Sequence, residues 1–337
     1  MTGGLQIHYS REVWQRLGVL AFLCAAAWGQ SSLPVIIDTD AGSDDLMAIA
    51  FLLGRPDVRV EAITVVNGLA HVGAGARNIV RLLELAGRAE IPVYAGRPEP
   101  SAGHAAFPAR WRRDSDRLPG VHLPVMARGP EAMPAAKFLA GRKNRVSILA
   151  LGPLTNLAEA LALRPAFAQT ISEIVIMGGA IQARGNLDDG GFFKTTNKTA
   201  EWNIFVDPRA AEAVFALGAP IRLVPLDATN RVKIDAAFLA EYDQRELTPL
   251  GRFVREILAT ERSSIDGGYY FAWDPLAAAA LVEPEVIKTT KMSIAIRRKP
   301  PEVGRTAETP GGKVNAVVAM DADAGLFRKL FLGALAK

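Results

Sequence analysis

From residue 33 onward, short β-branched runs alternate with segments of helical apolar spacing. "PVIID", "VEAITVV", "VSILAL", "EIVIMGG" and "IRLVPLD" each read as a strand, and stretches such as "NIVRLLELAG" and "NLAEALAL" read as helices between them. Strands separated by helices pair in parallel. The alternation therefore predicts an α/β chain, doubly wound, with a mainly parallel central sheet flanked by helices. "MSIAIRR" and "VNAVVAM", separated by a Gly/Pro-rich stretch, are expected to form a late antiparallel pair. No Ser/Gly linker, low-complexity tract or internal repeat divides the pattern, so residues 33–337 read as one domain. Ligands in such sheets bind beyond the carboxyl ends of the strands.

Composition narrows the possibilities. A chain of 337 residues, 50% hydrophobic and 22% charged, can bury a sizeable core. Its net charge of +4 comes from 39 basic against 35 acidic residues, well mixed. The densest basic cluster, "RWRRDSDR", is interrupted by acids, and no Lys/Arg stripe with interleaved aromatics exists, which argues against a nucleic acid polymer as partner.

Residues 1–30 read as a signal peptide. Arg11 and Arg16 precede "LGVLAFLCAAAWGQSS", which ends in small residues and offers Ala27-Trp28-Gly29 as a cleavage site. The apolar stretch is too short for a comfortable membrane span, so no stable membrane anchor is expected. Cys24 follows Leu23, which does not suit a lipoprotein. Cleavage near Gly29 would remove that cysteine, the only one in the chain, leaving an exported protein, periplasmic or secreted, without disulfides.

The densest chemistry lies in "VIIDTDAGSDDLMAIAFLL", where Asp38, Asp40, Asp44 and Asp45 crowd between two apolar runs. Asp38 and Asp40 end the first strand, and Asp44 and Asp45 open the following helix, where the helix dipole favours negative charge. Capping explains one or two of them. Carboxylates this close hold a proton or share a cation, and an all-oxygen set without Cys or His suits Ca²⁺ or Mg²⁺. "DTD" after a strand resembles the haloacid-dehalogenase-like phosphatases, which would make the chain a metal-dependent phosphohydrolase. That pattern wants Thr or Val where Gly42 stands, and it leaves Asp44 and Asp45 without a role.

The same stretch matches DxDxGxDD at every specified position, and in this it resembles the inosine-uridine nucleoside hydrolases. "LALGPLTNLAEAL", "IVIMGGA", "AEWNIFVDPRAA" and "WDPLAAAALVEP" follow in family order. The resemblance implies hydrolysis of the N-glycosidic bond of ribonucleosides, with Ca²⁺ held by Asp40, Asp45, Asp274 and the carbonyl of Leu151. It implies Asp40 as general base, Asp38 as a support for the loop, and Asp44, Asn67, Asn186, Glu201 and Asn203 as ribose contacts. Met177 is either a further ribose contact or strand-end packing. Many members carry His before the last metal aspartate; here Trp273 stands there, which resembles the purine-preferring branch. "FPARWRRD", with Phe107 and Trp111, resembles that branch's aromatic loop, so the expectation is a purine stacked between Trp111 and Trp273. A homo-oligomer, dimer or tetramer, is expected. The non-enzymatic alternative is an exported nucleoside- or ribose-binding protein. Asn156 and Asp207 read as helix caps, and His71 and His104 as loop residues.

Overall fold

The protein is described from a computed structural model, over Met1 and residues 32–101, 106–188, 191 and 193–337. The expected signal peptide with Cys24, and His104, lie outside the described residues.

Among the described residues the strands are, in chain order, β1 (Leu33–Thr39), β2 (Val58–Val65), β3 (Val93–Ala95), β4 (Val146–Ala150), β5 (Ile171–Met177), β6 (Ile221–Val224), β7 (Ile287–Met292), β8 (Ile294–Ile296), β9 (Thr306–Glu308) and β10 (Ala316–Ala322). Eight form one sheet in the order β3-β2-β1-β4-β5-β6-β10-β7, parallel except where β10 meets β7. All five strands read from the sequence are present. The late antiparallel pairing is present too, but "VNAVVAM" pairs with Ile287–Met292, just ahead of "MSIAIRR". β8, inside "MSIAIRR", instead pairs with β9. The physical reason is that "IKTTKM" exposes four successive residues, as a sheet-edge strand does, and so lacks the apolar alternation that marks a strand in sequence.

The order explains where a site can form. From β1 the chain winds outward through β2 and β3, then returns to β4 on the other side of β1 and proceeds through β5 and β6. The switch point lies between β1 and β4, and the loops leaving these two strands carry the aspartates and Leu151. Helix α1 (Ser43–Leu53) follows β1. It is buried from Asp45 to Leu52, as a helix with apolar residues on all sides must be. Between them Ala41, fully buried, has φ of 57°, a left-handed backbone that a non-glycine residue adopts only when its surroundings impose it.

Candidate active site

A cavity of about 490 Å³ opens over the switch point. Asp40, Asp44 and Asp45 reach it from the β1–α1 loop and the start of α1. Leu151 reaches it after β4 and Met177 from the end of β5. Glu201, Trp202 and Asn203 come from the start of α2 (Trp202–Val206), and Trp273 and Asp274 from the start of α3 (Trp273–Val282). Parallel strands aim their carboxyl ends in one direction, which gathers residues 230 positions apart in sequence.

The carboxylates are fixed by the backbone around them. Asp45 Oδ1 accepts from the Thr39 hydroxyl and from Asp40 N at 3.1 Å, and its Oδ2 accepts from Gly42 N at 3.1 Å. Asp40 Oδ2 accepts from Leu69 N at 2.9 Å. At Gly68 a Cβ would lie 2.0 Å from that same oxygen, so only glycine lets this loop approach. Asp38 stands behind the loop as expected, its Oδ1 accepting from Thr64 at 2.6 Å and from Asn156 Nδ2 at 2.8 Å. Asn156 is therefore a brace for Asp38 rather than a helix cap. Asp207 does cap, accepting from Ala210 N, and it also takes bonds from Ser101 and Thr155.

Two oxygens stand out. Asp40 Oδ1 and Asp274 Oδ1 are buried and have no hydrogen-bond partner. Asp44, Asp45 and Asp274 each place a carboxylate oxygen within 4.8 Å of the other two. Burial, reinforced by neighbouring carboxylates, raises the pKa of Asp40 and Asp274 well above the ordinary range, Asp44 to about 7 and Asp45 to about 6. A hard divalent cation would reverse that: it would satisfy the orphaned oxygens and neutralise the repulsion, and the all-oxygen donor set suits Ca²⁺.

Among the expected ribose contacts, Glu201 and Asn203 are held together. Glu201 caps α2, accepting from Asn203 N at 2.8 Å, Gly179 N at 2.9 Å and Ile204 N at 3.3 Å, yet burial still lifts its pKa to about 7. Asn203 Nδ2 donates to the carbonyls of Leu151 (3.0 Å) and Met177 (3.2 Å), so it orients the carbonyl expected on the cation. Asn186 and Met177 line the cavity. Asn67 is buried but does not line it; its Oδ1 accepts from Arg112 Nη2 at 2.6 Å.

Phe107, Trp111 and Trp273 all line the cavity. Their contacts differ from a plain two-indole slot. Phe107 stacks on Trp202 (4.8 Å, 23°), and Trp111 meets Trp202 edge-on (6.0 Å, 69°), while Trp273 packs edge-on against Tyr270 (5.3 Å). Trp202, Tyr270, Arg112 and Glu261 were missed in the sequence. Trp202 sits between two recognised site residues in "EWN", so its signal was adjacency. Arg112 likewise stands next to Trp111 in "FPARWRRD", whereas only the tertiary fold brings Tyr270 and Glu261 near.

The acidic cluster at the switch point of the doubly wound sheet thus stands beside a polar pocket and an aromatic wall. The chain belongs to the inosine-uridine preferring nucleoside hydrolase family, whose sequence model matches residues 35–329. It is thus a ribonucleoside N-glycosidase. It is 33% identical to uridine nucleosidase 1 of Arabidopsis thaliana over 290 residues, 83% of this chain and 82% of the relative. It is 31% identical to the pyrimidine-specific ribonucleoside hydrolase RihA of Klebsiella pneumoniae over 321 residues, 90% and 99% of the two chains. The solved purine-preferring ribonucleoside hydrolase from Gardnerella vaginalis superposes with a TM-score of 0.77 at 27% identity, covering 89% of this chain and 97% of that one.

Proposed function

We propose that this chain is an exported, Ca²⁺-dependent hydrolase that cleaves purine ribonucleosides in preference to pyrimidine ones, and that it works as a homo-oligomer. The observation that carries the base preference is the adjacency of Trp273 and Asp274 at the start of α3, which sets a large flat ring beside the carboxylate cluster. Names of relatives point to both kinds of base, so the preference rests on the cavity's own residues.

Asp40, Asp45, Asp274 and the Leu151 carbonyl would hold the ion. When bound, a divalent cation neutralises this cluster and acidifies a nearby water. Asp40, with its free Oδ1, takes the proton of the attacking water. Glu201, Asn203, Asn186 and Asp44 grip ribose hydroxyls and hold the ring as positive charge develops at its anomeric carbon. Trp273 and Trp111, with Phe107 and Trp202 behind Trp111, hold the base by its faces.

Inosine and uridine incubated with and without a chelator, followed by measurement of free base, test the reading. Release of hypoxanthine that stops on chelation and returns with Ca²⁺ is expected. Undiminished activity in chelator removes the cation; a kcat/KM for uridine equal to or above that for inosine removes the purine preference.

A further inference from the structure

Departure of a base from ribose is faster when the base is protonated as it leaves, and the cavity wall nearest the base has an indole where a proton donor could stand. Trp273 Nε1 does not release a proton near neutral pH. Among the described residues, no histidine lines the cavity. Glu261, however, lines it from the junction between α-helical segments Pro249–Thr260 and Arg262–Asp266, apart from the aspartate cluster in sequence.

Its surroundings are specific. Ser43 and Ser264 also line the cavity, and their hydroxyls favour the charged form of its carboxylate. Ser43 Oγ in turn lies 3.4 Å from the Tyr270 hydroxyl, and the Tyr270 ring packs edge-on against Trp273 at 5.3 Å. Glu261, Ser43, Tyr270 and Trp273 all line the same cavity. The charged and titratable groups that face Glu261 are Asp44 from α1, Asp114 from the helix Ala109–Arg117, and Tyr270 ahead of α3. Burial first, then the Asp114 charge, raises its pKa above the ordinary range, against the two serine hydroxyls. The other carboxyls of the cavity are less suited: Asp40, Asp44, Asp45 and Asp274 belong to the acidic cluster, Asp114 is exposed and paired with Arg110, and Glu201 is committed to three backbone N–H groups.

We propose that Glu261 is the proton donor to the departing base. As the bond from the anomeric carbon to the base nitrogen breaks, its electron pair goes to the base, and the carboxyl proton of Glu261 passes to a basic atom of that base. Water adds to the anomeric carbon and loses its proton to Asp40; Asp40 then releases that proton to solvent, and Glu261 regains one from solvent. The sum is nucleoside plus water to ribose plus base, with no further reactant. The proposal rests on the hydrolase reading but not on the purine preference.

The test is Glu261→Gln, which keeps the shape and removes the acid. On inosine, kcat should fall about 10²- to 10³-fold, the range for loss of a general acid. On 4-nitrophenyl riboside, whose leaving group departs as a stable anion, kcat should stay within about threefold of wild type, because that step needs no proton. Wild-type kcat on inosine should decline as pH rises and the donor loses its proton, and the variant should lack that decline. Retained inosine turnover in Glu261→Gln overturns the proposal, and so does an equal fall on both substrates, which marks a structural role. A wild-type enzyme that releases no base from inosine or uridine would instead defeat the hydrolase reading; one that prefers uridine leaves the comparison to be made on uridine.

Discussion

The two ends of the cavity are built in different ways. The carboxylate end is made at the tips of parallel strands and held by backbone groups: Asp45 by Asp40 N and Gly42 N, Asp40 by Leu69 N, Leu151 by Asp38. At the aromatic end, Trp111 rides on the helix Ala109–Arg117, none of whose residues is buried. Side chains tie that helix down: Arg112 to Asn67, Asp116 to His71, and Asn78 to the carbonyls of Ser115 and Asp116. Bond cleavage demands carboxylates placed to fractions of an ångström, and the sheet supplies that. Recognition of the base tolerates more movement, and an appended helix suffices.

If that contrast is right, the largest effects belong to the carboxylate end. Asp40→Ala should lower kcat by about 10³-fold or more, since a base and a cation ligand go together. It should also abolish the thermal stabilisation that Ca²⁺ confers, as read by melting with and without the ion. Near-normal turnover in this variant would break the assignment of both roles.

The same end should be sensitive to pH when stripped of divalent ions. Asp38, Asp44 and Glu201 are each raised to about 7 by burial, against 3.8 or 4.5 ordinarily. Between those values the folded protein binds more protons than the unfolded chain, so its stability falls as pH rises from about 4 to 7. Ca²⁺ binding displaces protons from this end, so its stabilising effect should grow over the same interval. Melting temperatures at pH 5 and 7.5, with and without Ca²⁺, check both signs; a Ca²⁺ shift independent of pH would show that the cation sits elsewhere.

The contrast also explains what was legible in the sequence. The aspartates were readable because Asp38, Asp40, Asp44 and Asp45 are neighbours and their spacing follows from a strand, a turn and a helix. The parallel sheet was readable from its apolar runs. Trp111 and Trp273 were readable as individual residues, but not their partners, because ring contacts such as Phe107 on Trp202 join segments about a hundred positions apart. Asn67 was readable as a polar residue at a strand end; its engagement by Arg112 depends on where an appended helix docks. Asn156 looked like a cap because Thr and Asn favour helix starts, and only the tertiary fold sets Asp38 within its reach.

Substitutions at the aromatic end should separate base from sugar. Trp273→Ala should cut kcat/KM for inosine by about ten- to two-hundred-fold, the range for losing a stacked ring, and uridine hydrolysis less, because a pyrimidine offers less area. Trp111→Ala should follow the same pattern more weakly, since Phe107 and Trp202 remain to cover the ring. Equal losses on both nucleosides in both variants would mean that the aromatics shape the cavity without reading the base.

The smallest effect is expected at the ties of the helix Ala109–Arg117. Asp116 accepts from His71 N at 2.8 Å and lies 2.7 Å from His71 Nδ1, but His71 is largely exposed and surface pairs of this kind contribute little, about 1 kcal/mol or less. Asp116→Asn keeps an acceptor for the backbone N–H while removing the charge. Looser docking of the helix moves Trp111 and not the carboxylates, so KM for inosine should rise by about two- to fivefold with kcat nearly unchanged, the signature of lost binding that is equal in ground and transition states. KM for 4-nitrophenyl riboside, with its smaller ring, should move less. A fall in kcat with KM unchanged would show that this helix positions the reacting atoms too, and the division of labour between the two ends would fail at that point.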